Sequence, residues 1–374
     1  MTQAELDKRT LPSSAVLGFE VLDVPATRRS TEAAWSDVFA AGTERFVISV
    51  GNTTGGQAEL SVLIAAIRDA FDPKSGVPGP RMLLLAADAV ARWRNTAGTP
   101  SASAVVGIVD CLEHTLTYVS AGHPPPFVRY HDGTVATLPV VPLPSKPTRC
   151  EHPPAQVVVD LRGAALVLLY SSALVKASAD DVDGVERLGH VLADERMSHC
   201  SSPAAWIARQ VLGSVSHDEA ALLALTLVPT ADPNPPAQGE RPHWTAAWSF
   251  DSRSAASNGA RRAFLACLRS KATGGAAIDF SAAELIFGEL LGNVVRHAPG
   301  PVDIILDWTD VLPVQHVLDR GPGFRSRRKR ERLPVDELSE SGRGLFIVNA
   351  CAPHFSVRNR NGRGTHASAT LPLA

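Results

Sequence analysis

Hydrophobic positions along this chain follow two rhythms. FVISV (46–50), AVVGIVD (104–110), LTYVSA (116–121), QVVVDL (156–161), ALVLLY (165–170) and ALLALTLV (221–228) are short apolar runs rich in β-branched residues. They have the length and content of strands. AELSVLIAAIRDAF (58–71), RMLLLAADAVARWRN (81–95) and PAAWIARQVLGSV (203–215) carry their apolar residues at helical spacing. Runs of strands with paired helices predict a layered sandwich, with two sheets or one large bent sheet. The pattern then stops in TADPNPPAQGERP, residues 230–242, a proline-rich polar stretch that reads as a linker. Beyond it come a strand, WTAAWSF (244–250), and two helices, SNGARRAFLACLRSKA (257–272) and LIFGELLGNVV (285–295). The boundaries are thus 1–229 and 243–374 around the 230–242 linker, with no internal repeat.

Composition narrows the class. A chain of 374 residues holds about two domains. Hydrophobic content of 45% and charged content of 20% fit a soluble globular protein, and a net charge of −2 gives no field that selects polyanions or membranes. Five scattered cysteines (Cys111, Cys150, Cys200, Cys267, Cys351) show no C-x-x-C spacing, which fits a reducing compartment. The start MTQAELDKRTLPSS lacks the apolar core of a signal peptide, and AALVLLYSSALV (164–175) is too short to span a bilayer. The expected location is the cytoplasm.

The densest chemistry lies in GELLGNVVRHAP. Glu289, Asn293 and His297 stand four residues apart, which puts three polar side chains on one stripe of an otherwise apolar helix. Such groups on a packed helix need partners, and a hydrated Mg²⁺ carrying nucleotide phosphates is one. His297 at the helix end reads as structural, its charge meeting the helix dipole. Downstream follow DRGPGF (319–324), SGRGLFIVNAC (341–351) and NGRGTHASATLPL (361–373).

This ordered set, over roughly 243–374, resembles the GHKL ATPases and kinases, and within them the bacterial anti-sigma factor serine kinases of the RsbW type. The resemblance implies a GHKL (Bergerat) α/β sandwich that binds ATP and Mg²⁺. It assigns Asn293 to the metal, Glu289 to general-base catalysis, and Asp319 to the adenine amino group. Gly321 and Gly323 would let the backbone approach the base. Gly342 and Gly344 would open the helix LFIVNAC toward phosphate oxygens, and Thr365 would bond near the adenine. Arg343 reads equally as a phosphate contact or as a solvated side chain. The segment RSRRKRERLPVDELSE, with six basic residues in 325–332, occupies the place of the family's ATP lid. It reads as a solvated loop, with contact to phosphates or to an acidic partner surface as the alternative, and without interleaved aromatics it does not suggest nucleic acid.

The first domain also has family landmarks. TLTYVSAGHPPPFVRYHDGTV (115–135), LVLLYSSALVKA, GVERLGHVLA and SHDEAALLAL resemble segments of the SpoIIE and RsbU metal-dependent serine/threonine phosphatases (PPM type). The resemblance covers about 11–229. Those enzymes hold two divalent cations on aspartates. Aligned on the family's motifs, three aspartate positions here carry Ala34, Asn52 and Ser172, leaving Asp218 beside Glu219. Losing three carboxylates removes most of the basis for binding two dications. The reading is a degenerate phosphatase-like sandwich, a pseudophosphatase, joined to the ATP-binding domain in an α+β chain.

The function this implies is an ATP-dependent protein serine/threonine kinase of the anti-sigma switch type. Its substrate would be a STAS-domain anti-sigma antagonist. A sigma factor and a second copy of the chain are the further partners the resemblance raises; nucleic acid and membrane are not. Two alternatives stand beside it: a non-catalytic ATP-binding partner-switching module, and a phosphatase with unusual metal ligands acting on a phosphorylated STAS protein. A two-component histidine kinase is disfavoured, because a proline-rich linker and a strand, not a helical dimerisation segment, precede the ATP domain.

Overall fold

The computed structural model describes residues 17–26, 32–42, 44–71, 102–140, 156–176, 184–212, 219–228, 244–253, 256–272, 278–308, 312–323, 340–360 and 364–372, with Leu83, Ala86 and Val90. The linker at 230–242, Asp218, the lid segment and most of the helix expected over 81–95 lie outside the described residues. The described residues fall into two compact units, Leu17–Val228 and Trp244–Pro372.

The first unit is a sandwich of two antiparallel sheets. One runs β1 (Leu17–Val24), β10 (Ala220–Leu227), β9 (Ala164–Tyr170), β6 (Phe127–Tyr130), β7 (Val135–Thr137). The other runs β8 (Gln156–Asp160), β5 (Thr115–Ala121), β4 (Ala102–Asp110), β3 (Arg45–Thr53), β2 (Ala33–Ala40). Phe19 meets Phe46 between them at 5.2 Å. Both outer faces are covered as well. Helix α1 (Gly56–Ala70) lays Leu60, Leu63 and Ile67 on Trp35, Val47 and Val106, in a core that also takes Leu83, Ala86 and Val90. Helices α2 (Ala173–Lys176), α3 (Gly184–Ala193) and α4 (Pro203–Leu212) lay Leu174, Leu188, Leu192 and Ile207 on Leu168, Tyr170 and Leu222. A strand covered on both faces has no polar side, so β10 is buried continuously from Ala220 to Leu225 and β3 from Phe46 to Gly51. That is why both appear in the sequence as unbroken apolar runs.

The second unit is a layer of helices on one antiparallel sheet. Its order is β14 (Phe355–Asn359), β15 (Thr365–Thr370), β13 (Val314–Asp319), β12 (Pro301–Trp308), β11 (Trp244–Asp251). Alternate residues point inward: Trp244, Ala246 and Trp248; Val302, Ile304 and Leu306; Gln315, Val317 and Asp319. Helices α5 (Ala256–Ala272) and α6 (Phe280–His297) cover that face through Phe264, which lies 6.3 Å from Trp248 and 4.6 Å from Phe287. Helix α6 starts where Asp279 accepts hydrogen bonds from the N–H groups of Ser281 and Ala282, both 3.0 Å. Its buried stripe, Ala283, Ile286, Phe287, Leu290, Leu291 and Val294, leaves Glu289 and Asn293 at the edge of the packed face.

Helix α7 (Glu340–Cys351) differs from expectation at one end. It begins two residues before Gly342, so Gly342 and Gly344 lie within its first turn and a half rather than ahead of it. The Gly-x-Gly punctuation suggested a break, but a backbone free of Cβ atoms also continues a helix where packing supports it.

Gly51 marks the tightest packing in the first unit. A Cβ there would fall 2.2 Å from Trp35 Cη2 and 2.4 Å from the Ser103 carbonyl oxygen. The neighbours are a fully packed indole and a backbone, neither free to move away. Gly51→Ala is expected to destabilise this unit by about 1–3 kcal/mol or more through overpacking. A denaturation midpoint equal to that of the parent protein would contradict this.

Candidate functional site

Two clusters of polar side chains stand out, one in each unit. In the second, the edge of α6 meets the beginning of α7. A Cβ on Gly344 would lie 2.5 Å from Glu289 Oε2 and 3.6 Å from both Asn293 Nδ2 and Oδ1. A side chain at 344 would push the Glu289 carboxylate from its place, so the glycine leaves room for it. Glu289 is half-buried, with Arg296 Nη2 at 3.9 Å from Oε2. Asn293 Nδ2 is buried with no hydrogen-bond partner among the described residues. Such an atom costs about 1–3 kcal/mol unless something else meets it. His297 closes α6 as an exposed residue.

The loops converge on Asp319. Its Oδ1 accepts from Gly321 N–H at 2.8 Å and Thr365 N–H at 3.1 Å. No bond from a described residue to Oδ2 accompanies these two, although the residue is only 6% exposed. Gly364 has φ +100°, and a Cβ there would sit 1.9 Å from the Asp319 carbonyl oxygen. Gly321 abuts Ala298, the residue that ends α6, where a Cβ would meet Ala298 Cβ at 2.5 Å. Gly323, at φ +85°, lies against Asn359. On the opposite face of the same strands, His316 Nδ1 and His366 Nε2 share a hydrogen bond of 3.0 Å that ties β13 to β15. Burial holds both imidazoles below their ordinary range, and for His366 the nearby His316, Arg360 and Arg358 add to it.

The fold therefore brings Glu289, Asn293 and Gly344 together, and separately Asp319, Gly321 and Thr365. Gly342 is placed as helix backbone only; the side chain of Arg343 and the whole of Phe324 lie outside the described residues. Gly364 and Arg296 were not singled out from the sequence. The first had a signal in the Gly-x-Gly-Thr run; the second had none, since its role depends on how its side chain folds back.

The donor set suits a nucleotide with one hydrated cation. Half a turn of the Asn293 amide exchanges Nδ2 and Oδ1, so the unpartnered position can present an oxygen to Mg²⁺. A single amide is an adequate protein contribution for an ion that keeps its waters and phosphate oxygens. Asp319 Oδ2 is the acceptor left over in a buried corner.

The second cluster lies in the first unit, where β2 and β3 pair Ala34 with Asn52. These two positions face each other directly across the ladder, and neither is a carboxylate. Glu219 Oε2 accepts from Ala34 N–H at 3.4 Å and from Gln57 Nε2 at 3.3 Å. Burial raises the Asp23 carboxyl above its ordinary range; Ser36 Oγ–H bonds it at 2.9 Å and opposes this, while the Glu219 charge adds to it. Ser172 Oγ is buried without a partner.

Behind Asn52 runs a buried chain. His123 Nε2 lies 2.8 Å from the Tyr170 carbonyl oxygen, His123 Nδ1 lies 3.0 Å from Ser103 Oγ, and Ser103 Oγ lies 2.8 Å from Asn52 Oδ1, placed to donate to it. A carbonyl only accepts, so Nε2 carries the proton and Nδ1 must receive one. One Ser103 hydroxyl proton cannot serve both His123 Nδ1 and Asn52 Oδ1; spent on His123, it requires half a turn of the Asn52 amide, which brings NH₂ to the position of Oδ1. An aspartate at position 52 has no such donor. The chain is complete with the amide and incomplete with a carboxylate.

Burial pushes His123 down to about 4, only partly opposed by its bond to Tyr170. Between about 4 and the unfolded value near 6.5, the unfolded chain binds a proton that the folded chain refuses. Stability is full above pH 6.5 and falls toward pH 4, by about 3 kcal/mol at most from this residue. Denaturation midpoints measured from pH 7 to 4 should show the loss, and His123→Gln should flatten it. Asn52→Asp should cost about 1–3 kcal/mol at pH 7, since one member of the chain loses its donor; equal stability of Asn52→Asp would overturn the polarity deduced for the chain.

Comparison with known proteins gives both units a family. The model of the stage II sporulation protein E (SpoIIE) family matches residues 43–228, and that of the histidine kinase-like ATPase domain matches residues 250–371. No curated protein matches the chain. Among solved structures, the RsbU and RsbW domains of Rv1364c from Mycobacterium tuberculosis are 19% identical, with 96% of this chain and 94% of that one covered and a TM-score of 0.46. The PP2C phosphatase domain and regulatory fragment of SpoIIE from Bacillus subtilis are 11% identical, with 58% of this chain and 64% of that one covered and a TM-score of 0.46.

Proposed function

The chain joins a SpoIIE-family domain to a histidine kinase-like ATPase domain, and from that premise we propose that it is an ATP-dependent serine/threonine kinase of a partner switch. Its substrate is a STAS-domain anti-sigma antagonist, and its phosphatase-like domain serves regulation without hydrolysing phosphate. A sigma factor is the second protein partner of this reading, and the cytoplasm its setting.

The observation that carries the proposal is the buried, unpartnered amide of Asn293 beside Glu289 and Gly344. Bound Mg²⁺–ATP supplies the phosphoryl group and the charge that neutralises it in transfer. Asn293 would hold the cation through its amide oxygen. Glu289 would take the proton of the acceptor hydroxyl as that oxygen bonds to the terminal phosphorus and ADP departs. Asp319 Oδ2 would accept from the adenine amino group, while Oδ1 keeps its two loop N–H bonds. Free N–H groups of the first α7 turn would suit phosphate oxygens. On the target, the new phosphate adds about −1.5 to −2 of charge, enough to part a tight interface.

The pseudophosphatase part rests on Ala34 and Asn52 facing each other without a carboxylate, and on Glu219 being engaged by Ala34 N–H and Gln57.

Radiolabelled phosphate from ATP should pass to a purified STAS protein. Glu289→Ala should reduce transfer about 100-fold or more while ATP still binds, and Asn293→Ala should remove Mg²⁺-dependent ATP binding. Asp319→Asn keeps an acceptor for the two loop N–H groups but turns Oδ2 into a donor, so ATP should bind about tenfold or more weakly with the fold intact. Transfer by Glu289→Ala at the parent rate would sink the kinase reading.

A further inference from the structure

Arg296 has no role in the reaction as derived above, yet its side chain turns back along its own helix. The guanidinium lies beside Gly292, one turn earlier, where a Cβ would meet Arg296 Nη2 at an ordinary contact distance of 3.4 Å. It comes to 3.9 Å of Glu289 Oε2, an ion pair. The same oxygen faces Gly344 across the gap to α7. Glu289 Oε2 is thus bracketed by a cation from its own helix and by a backbone without a Cβ from the next. An arginine is half free at this position, its side chain 50% exposed, and an exposed pair of this kind adds little to stability.

We propose that Arg296 is a positioning residue for Glu289: it fixes the orientation of the carboxylate that takes the acceptor proton. The inference rests on the kinase reading. A base displaced by a fraction of an ångström loses rate without losing nucleotide, because orientation enters the barrier and not the binding of ATP. Residues that act as one unit also fail to add when removed together.

The test uses the full chain, Mg²⁺–ATP and a STAS protein that the parent enzyme phosphorylates. Arg296→Ala should lower kcat about tenfold with KM for ATP within about twofold, and Arg296→Lys, which restores a cation, should recover part of it. In a Glu289→Gln background, Arg296→Ala should have no further effect. Parent-level kcat in Arg296→Ala overturns the proposal. So does a raised KM for ATP at unchanged kcat, which would make Arg296 a nucleotide contact, and so does a full additive loss in Glu289→Gln. No transfer by the parent chain itself would strike the kinase reading instead, which keeps the two failures apart.

Discussion

A buried polar atom needs a partner, and that requirement organises both domains. In the C-terminal domain it acts through Asp319. One carboxylate oxygen receives the N–H groups of Gly321 and Thr365, so two loops far apart in the chain are drawn to the end of β13. Because Oδ1 is occupied, only Oδ2 is left to recognise anything else, and the loop geometry and the specificity of the corner become one property. Asn293 poses the same demand unmet: its amide nitrogen is buried beside Glu289 with no partner among the described residues. A protein tolerates such an atom where binding satisfies it.

In the N-terminal domain the requirement is met internally around position 52. With the Asn52 amide turned, Asn52, Ser103, His123 and the Tyr170 carbonyl form a chain of donors and acceptors running in one direction. The amide at position 52 can supply the proton direction that a buried neutral imidazole needs, and a carboxylate there would disturb this neutral arrangement. Glu219 is drawn in similarly, its Oε2 taken by a backbone N–H and by Gln57.

Much of this was legible in the sequence where one residue type has one physical use. The unbroken apolar runs of β3 and β10 read as buried strands because strands covered on both faces have no polar side. The four-residue spacing of Glu289 and Asn293 read as one helical stripe because spacing on a helix is geometry. Strands β1, β2, β12 and β13 were harder: each mixes charged and apolar residues, as in LGFEVLDV and PVDIILDW, since one face or one end is open. The start of α7 was misread because glycine pairs mark both helix ends and close helix contacts, and only packing tells the two apart.

Contacts between distant residues were the least legible. Gly344 against Glu289 joins positions 55 residues apart, and nothing in either local sequence announces the other. The bend of Arg296 beside Gly292 is local in sequence but depends on a rotamer. The Gly-x-Gly pattern marks Gly344 as a phosphate-side residue. The geometry gives it a second use: the missing Cβ leaves room for the Glu289 carboxylate, which a methyl group at 2.5 Å would displace.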